Sequence, residues 1–155
     1  MNAQFMNPFI LSIRNVFETM CGTAVEFAPA QLKDHDGEPV DVSGAIRFSG
    51  DAEGSLTLGF SNEVARKIGT RFAQMEIDDP DFDLKDALGE MVNIIAGGAK
   101  SRFEGVSIRI SLPKVTVGPH LITGATQSAP HMVLPCSTQL GPFSVEVDMA
   151  IRRTG

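Results

Sequence analysis

The sequence predicts an α+β fold of two similar halves, each placing a helix on antiparallel strands, and three observations predict it. Two segments, Pro8–Met20 and Asp83–Lys100, repeat apolar residues at helical spacing. Val40–Phe48 and Ser55–Phe60 alternate, and the segments after Lys100 are rich in Val, Ile and Thr and are divided by Gly and Pro, which reads as antiparallel strands. The order helix, strands, helix, then helix and strands again suggests a repeated plan with helices packed on a β-sheet. At 155 residues the chain is of ordinary size for one domain, residues 1–155.

The first helix, Pro8–Met20, carries Phe9, Ile13, Val16, Phe17 and Met20 along one face, with Gly22 as its stop. Ala24–Phe27 reads as a short strand and Lys33–Pro39 as a polar loop. Val40–Phe48 and Ser55–Phe60 alternate as strands of an antiparallel hairpin, joined by the glycine-bounded Ser49–Gly54 connection. Ser61-Asn62-Glu63 caps a helix over Val64–Met75, which Asp78-Asp79-Pro80-Asp81 breaks. After the Asp83–Lys100 helix, strands are expected at Ser107–Leu112, Lys114–Gly124, His131–Leu140 and Phe143–Arg152, with Gly141-Pro142 punctuating the last hairpin.

Composition narrows the function. With 43% hydrophobic and 21% charged residues the chain reads as a soluble protein with its own core. A net charge of -6 and a pI near 5.0 argue against non-specific binding to nucleic acid or an anionic membrane, which needs clustered Lys and Arg. The apolar run Phe9-Ile10-Leu11 is soon interrupted by Arg14 and Glu18, too short and too charged for a signal peptide or a membrane span, so a cytoplasmic location is expected. Cys21 and Cys136 lack the dense pattern of a disulfide scaffold or a zinc site and are expected as buried free thiols. Asp34, Asp36 and Gly37 faintly match a calcium loop, but the later acceptors are missing. His35 suggests no chemistry. Cys136 and Ser137 follow Pro135 in a strand region, while His120 and His131 lie beside prolines in expected loops, so no nucleophile is paired with a base.

The Asp83–Lys100 helix is the unusual element. At about 100° per residue, Leu84, Leu88, Met91, Ile95 and Ala99 share one side, and Asp86, Glu90, Asn93 and Gly97 form a narrow stripe roughly opposite. Asp83 is the expected N-cap, with Asp86 in the first turn where a carboxylate offsets the helix dipole. Gly97 and Gly98 each cost about 0.8–1 kcal/mol relative to Ala inside a helix, which points either to a surface that another backbone or a partner approaches or to a helix that frays there. Taken alone, the stripe reads as a solvated helix face.

The spacing Asp86-x3-Glu90-x2-Asn93, with Pro113 beyond it, resembles the signature of the CheC, CheX and FliY chemotaxis phosphatases, in which an Asp or Ser precedes the Glu and Asn and a Pro follows. Asn7-Pro8-Phe9 opening an amphipathic helix, the Ala87–Asn93 core and Leu112-Pro113 with Gly124 beyond it look like the CheX-like members, so the resemblance covers most of the chain. It implies a CheC-like fold and one catalytic site. Ser12 and Asn15 lie at the spacing of Glu90 and Asn93, which leaves the first half without the carboxylate.

By this resemblance the substrate is the aspartyl phosphate of a response-regulator receiver domain such as CheY. An Asn carboxamide both donates and accepts hydrogen bonds and can hold a water in line with phosphorus, the role implied for Asn93. Glu90 would pair with the receiver's Lys, and Asp86 and Gly97 are candidate partner-contact positions. The resemblance implies no metal or cofactor of the protein's own, the Mg²⁺ being supplied by the receiver, and it implies a homodimer. A non-catalytic module that docks a receiver or a flagellar-motor component, or a structural homodimer subunit with an exposed sheet edge, are the alternatives.

Overall fold

The structure, a computed structural model, describes residues 6–33, 37–124 and 129–152, with Pro80 lacking a described side chain. The calcium-loop fragment's Asp34 and Asp36, together with His35, lie outside them. In chain order the elements are α1 (Asn7–Met20), β1 (Glu26–Phe27), β2 (Gln31–Leu32), β3 (Val40–Gly50), β4 (Ala52–Phe60), α2 (Asn62–Ala73), α3 (Lys85–Lys100), β5 (Ile108–Ile110), β6 (Lys114–His120), β7 (His131–Thr138) and β8 (Gly141–Ile151).

The described strands form one antiparallel sheet in the order β1-β7-β8-β4-β3-β5, with β2 also pairing β7 and β6 also pairing β3. That order is symmetric about the β4/β8 junction. In the first half α1 leads to β1 and β2, then β3 and β4; in the second, α3 leads to β5 and β6, then β7 and β8. Each half lends its two short strands to the third strand of the other, β1 and β2 to β7 and β5 and β6 to β3. The expected α+β plan of two related halves is therefore the architecture, with α2 inserted between them.

Alternation along the central strands separates the two faces of the sheet. Val42 pairs Phe60, Ile46 pairs Leu56, and Leu56 and Leu58 pair Val147 and Val145, so these buried side chains share one face. Helix α3 lies on that face, since a Cβ on Gly44 would meet Val92 Cγ1 at 3.5 Å and the Leu88 carbonyl at 3.7 Å. Stacked Phe17 and Phe143, with centroids 4.8 Å apart, tie α1 to β8 on the same side. The opposite, helix-free face is polar: Ser43, Ser55, Thr57, Glu146 and Asp148 are buried there. The segment after β6 covers part of it, where Lys33 Nζ donates to the Ile122 carbonyl at 2.9 Å and to Glu146 Oε1 at 2.8 Å.

Several expected boundaries move. Helix α3 is entered through a wider π-type turn, Pro80–Leu84, so Asp83 is not the N-cap. Asp79 fills that role, its Oδ1 accepting from the amides of Asp81 and Phe82, while Asp83 Oδ2 reaches back to accept from the Asp79 amide at 3.1 Å. Pro80 is tolerated there because a first-turn residue needs no amide hydrogen. The Ser49–Gly54 connection is tighter than expected, with Asp51 alone between β3 and β4; its amide and carboxylate are both taken by Ser107, at 2.9 Å each. Gly141-Pro142 sits inside β8, and the turn falls on Gln139-Leu140. His120 closes β6 and His131 opens β7 rather than lying in loops. Ser61 caps α2 as expected, its Oγ accepting from the Val64 amide at 3.3 Å.

Candidate active site

The stripe on α3 faces out of the fold. Asp86, Glu90 and Asn93 are exposed, while Leu84, Leu88, Met91, Ile95 and Ala99 behind them are almost completely buried. Helical geometry puts Asn93 about 4.5 Å along the axis from Glu90 and about 60° around it, so both side chains address one approaching surface.

Across from this stripe runs the chain between β5 and β6. Leu112, Pro113 and Val115 close a groove of about 550 Å³ whose other wall is Lys85, Asp86, Gly89, Glu90 and Asn93. Gly89 permits the approach, because a Cβ there would already stand 3.6 Å from both Pro113 Cγ and Val115 Cγ2. The structure thus brings Pro113 to Glu90 and Asn93, which the sequence only placed downstream of them. A second hollow of about 290 Å³ lies on the α2 side, lined by Met20, Phe72, Ala73, Met75, Ile77, Asp83, Asp86, Ala87 and Glu90. Asp86 and Glu90 border both hollows and form the ridge between them; Asn93 borders only the groove with Pro113.

The two adjacent glycines differ. Gly98 faces α1, where the Ser12 hydroxyl occupies the space a side chain would take, so its smallness serves helix packing inside the chain. Gly97 has nothing within 4 Å of where its Cβ would be and stands open at the end of the stripe. Ser12, the first-half counterpart of Glu90, is buried and donates to the Ile95 carbonyl at 2.6 Å, while Asn15 is exposed. Sequence reasoning missed Lys85 beside the groove and the exposed apolar rim around the ridge, Leu112 at 89% exposure and Met75 at 58%. An apolar residue next to a proline in a short connecting segment was the available signal for Leu112.

Thiol chemistry is not poised anywhere near this site. Cys21 and Cys136 are free and buried, and burial pushes their pKa values up to about 11 and about 12, the former despite the opposing pull of Arg71. His120 Nε2 lies 2.7 Å from Ser43 Oγ and His131 Nε2 lies 2.7 Å from Glu146 Oε1, both at the ends of strands away from α3. Among the described residues no three His, Cys, Asp or Glu side chains gather as a metal-holding group, and no helix is long and apolar enough to cross a membrane.

What this arrangement offers chemically is an exposed carboxylate and an exposed carboxamide, preorganised on one rigid helix beside an open groove. Such a pair can orient a water and a cation of something that docks, without supplying a nucleophile of its own.

Known proteins share this arrangement of elements. The protein is 28% identical over 124 residues, 78% of this chain and 80% of the other, to the CheY-P phosphatase CheX of Thermotoga maritima. The crystal structure of a chemotaxis protein CheX from Desulfovibrio desulfuricans superposes with a TM-score of 0.87 at 27% identity, covering 96% of this chain and 99% of that one. The CheX of Borrelia burgdorferi, solved in a complex with CheY, BeF3 and Mg²⁺, has the same fold at 24% identity, with a TM-score of 0.70 over 96% of this chain and 98% of that one. Residues 42–137 match the family model described as chemotaxis phosphatase CheX, more than half of the chain and the whole of α3 with it. The chain belongs to the CheX family of chemotaxis phosphatases.

Proposed function

We propose that this protein hydrolyses the aspartyl phosphate of a CheY-like receiver domain, with Asn93 positioning the attacking water and Glu90 fixing how the receiver docks. The observation that carries this reading is the outward projection of Glu90 and Asn93 from one face of α3 into the groove closed by Pro113. The named activity of the Thermotoga maritima relative supports it.

In this reading the receiver brings its phosphorylated carboxylate, a bound Mg²⁺ and a lysine, and the phosphatase brings the helix. The Asn93 carboxamide accepts a hydrogen bond from a water and holds its oxygen in line with phosphorus. A new P–O bond forms to that oxygen, the bond between phosphorus and the receiver's carboxylate oxygen breaks with its electron pair staying on the carboxylate, and the water's proton ends on the released phosphate. Glu90 pairs with the receiver's lysine, so its charge serves register rather than proton transfer. Gly97 leaves open space at the end of the stripe and Asp86 extends the acidic ridge, so both meet the docked receiver. The Mg²⁺ belongs to the substrate, and this chain's residues hold no ion for the reaction.

The test is phosphoryl loss from a panel of phosphorylated receivers with and without the protein, repeated after the receiver's Mg²⁺ is chelated. At least one receiver should lose phosphate faster in a Mg²⁺-dependent way. Binding of a receiver without any acceleration would show a docking module and defeat the catalytic reading.

A further inference from the structure

The helix-free face of the sheet carries a further hollow that the proposed phosphatase reaction does not use. It encloses about 490 Å³ over Ser43, Ala45, Arg47, Ser55 and Thr57, walled by Lys114, Thr116 and His120 on one side and Leu121, Ile122 and Thr123 on the other. This is within the range of roughly 300–1,000 Å³ usual for small-molecule sites.

Its charge is opposite to that of the protein. The chain has 19 acidic against 13 basic residues, yet the hollow is lined by Arg47 and Lys114 and, among the described residues, by no carboxylate. The carboxylates that register places on this face beside the hollow are engaged: Glu146 contacts Lys33 and His131, Asp148 accepts from Ser55, and Glu53 pairs with Arg152. Neither Arg47 nor Lys114 forms an ion pair among the described residues.

Sheet register places these cations together. Lys114 pairs with Ala45 and Ala45 with Thr57, while Arg47 lies two residues further along β3 on the same face. Diagonal neighbours of this kind are about 7–8 Å apart at their Cα atoms, and Ala45 between them is too small to fill the floor. Thr57 is the second observation. It is only 4% exposed and makes no side-chain hydrogen bond among the described residues, yet no polar side-chain atom among them is sealed without a partner. Its hydroxyl is therefore open to the hollow. Ser43 and His120 are spent on each other: Gly118 O can only accept, so His120 Nδ1 donates to it at 2.6 Å, and in the neutral ring Nε2 accepts from the Ser43 hydroxyl.

We propose that this hollow binds a small organic phosphate, with the anion between Arg47 and Lys114, the Thr57 hydroxyl as its buried hydrogen-bonding partner, and the organic body against Leu121 and Ile122. Two cations on a diagonal with a hydroxyl donor suit a dianion of several oxygens better than a carboxylate, which a single guanidinium fork satisfies. The site is independent of Glu90 and Asn93, although Leu112 borders both hollows.

The experiment is an amide-resolved NMR titration of the full chain with AMP, adenosine and inorganic phosphate, on the wild type, on Arg47→Gln with Lys114→Gln, and on Thr57→Val, each checked for folding by circular dichroism. AMP should saturate, with shifts centred on Ser43, Arg47, Thr57, Lys114 and Thr116. The double variant should weaken it by about tenfold or more and Thr57→Val by a smaller factor. Adenosine should not saturate. Inorganic phosphate matching AMP would support the anion site and assign it to free phosphate, whereas tighter AMP binding would support the organic body's contacts. Absence of saturation by both AMP and phosphate, equal binding of adenosine and AMP, or affinity unchanged in the folded double variant would each overturn the proposal.

Discussion

Ser12 on α1 and Gly98 on α3 are fitted to each other. The Ser12 hydroxyl donates to the Ile95 carbonyl at 2.6 Å, and a Cβ at position 98 would collide with that same oxygen. The contact lets the two helices approach closely on the sheet, and it holds the helix that carries Glu90 and Asn93.

Gly97 and Gly98 should therefore respond oppositely to the same change. Gly97→Ala gains helix propensity of about 0.8–1 kcal/mol, reduced by the position's nearness to the helix end, and meets no neighbour. Gly98→Ala gains the same propensity but drives a methyl group into Ser12, an overpacking cost of about 1–3 kcal/mol. Urea unfolding should show the first variant at or above wild-type stability and the second below it. Adding Ser12→Ala to Gly98→Ala should recover part of the loss, and no recovery would locate the strain elsewhere.

Glu90 and Asn93 are predicted to fail in different ways. Both side chains are exposed, so Asn93→Ala and Glu90→Gln should unfold at wild-type denaturant concentrations. Asn93→Ala should bind the receiver nearly normally and lose on the order of 10²-fold in maximum rate, the scale of one transition-state hydrogen-bonding group. Glu90→Gln keeps the shape and removes the charge, so its half-saturating receiver concentration should rise and depend less on salt. A receiver concentration series at two ionic strengths separates the two parameters. Loss of maximum rate alone in both variants would move Glu90 into the chemical step.

The cysteines set a pH limit on stability. Their ordinary pKa of 9.0 is raised by burial to about 11 for Cys21 and about 12 for Cys136. Below pH 9 both the folded and unfolded chains keep the thiol protons, and this contribution is fully present. Between pH 9 and those raised values the unfolded chain has released protons that the folded chain still holds, so stability falls as pH rises. Urea midpoints compared at about pH 8 and about pH 10.5 should drop, and the drop should be shallower in Cys21→Ala with Cys136→Ala. An equal drop in both proteins would assign it to other groups.

Much of the fold was legible because its signals are local. The apolar faces of α1 and α3, the Ser61 cap and the β3/β4 hairpin each follow from residues a few positions apart. The two-residue strand β2 had no such signal, since Gln31 pairs with Val133 and the pairing exists only once β7 is in place. The start of α3 misled for a related reason. Asp79 and Asp83 are both acceptable caps by composition, and what decides which one begins the helix is the turn across Pro80, where the Asp79 carboxylate accepts from the Asp81 and Phe82 amides while the Asp79 amide donates to the Asp83 carboxylate.

The same division runs through the candidate site. That Asp86, Glu90, Asn93 and Gly97 face away from the apolar side of α3 was determined by the sequence, because the angle between residues on a helix is a property of the helix alone. The groove before them was decided by tertiary structure. Pro113 reaches Gly89 because β6 pairs with β3, whose Gly44 is in turn covered by Val92 of α3. Arg47, Lys114 and Thr57 likewise meet only through the register of three strands. Those pairings join residues far apart in the chain, so their free energy is realised only after the sheet closes, and no short stretch of sequence carries it.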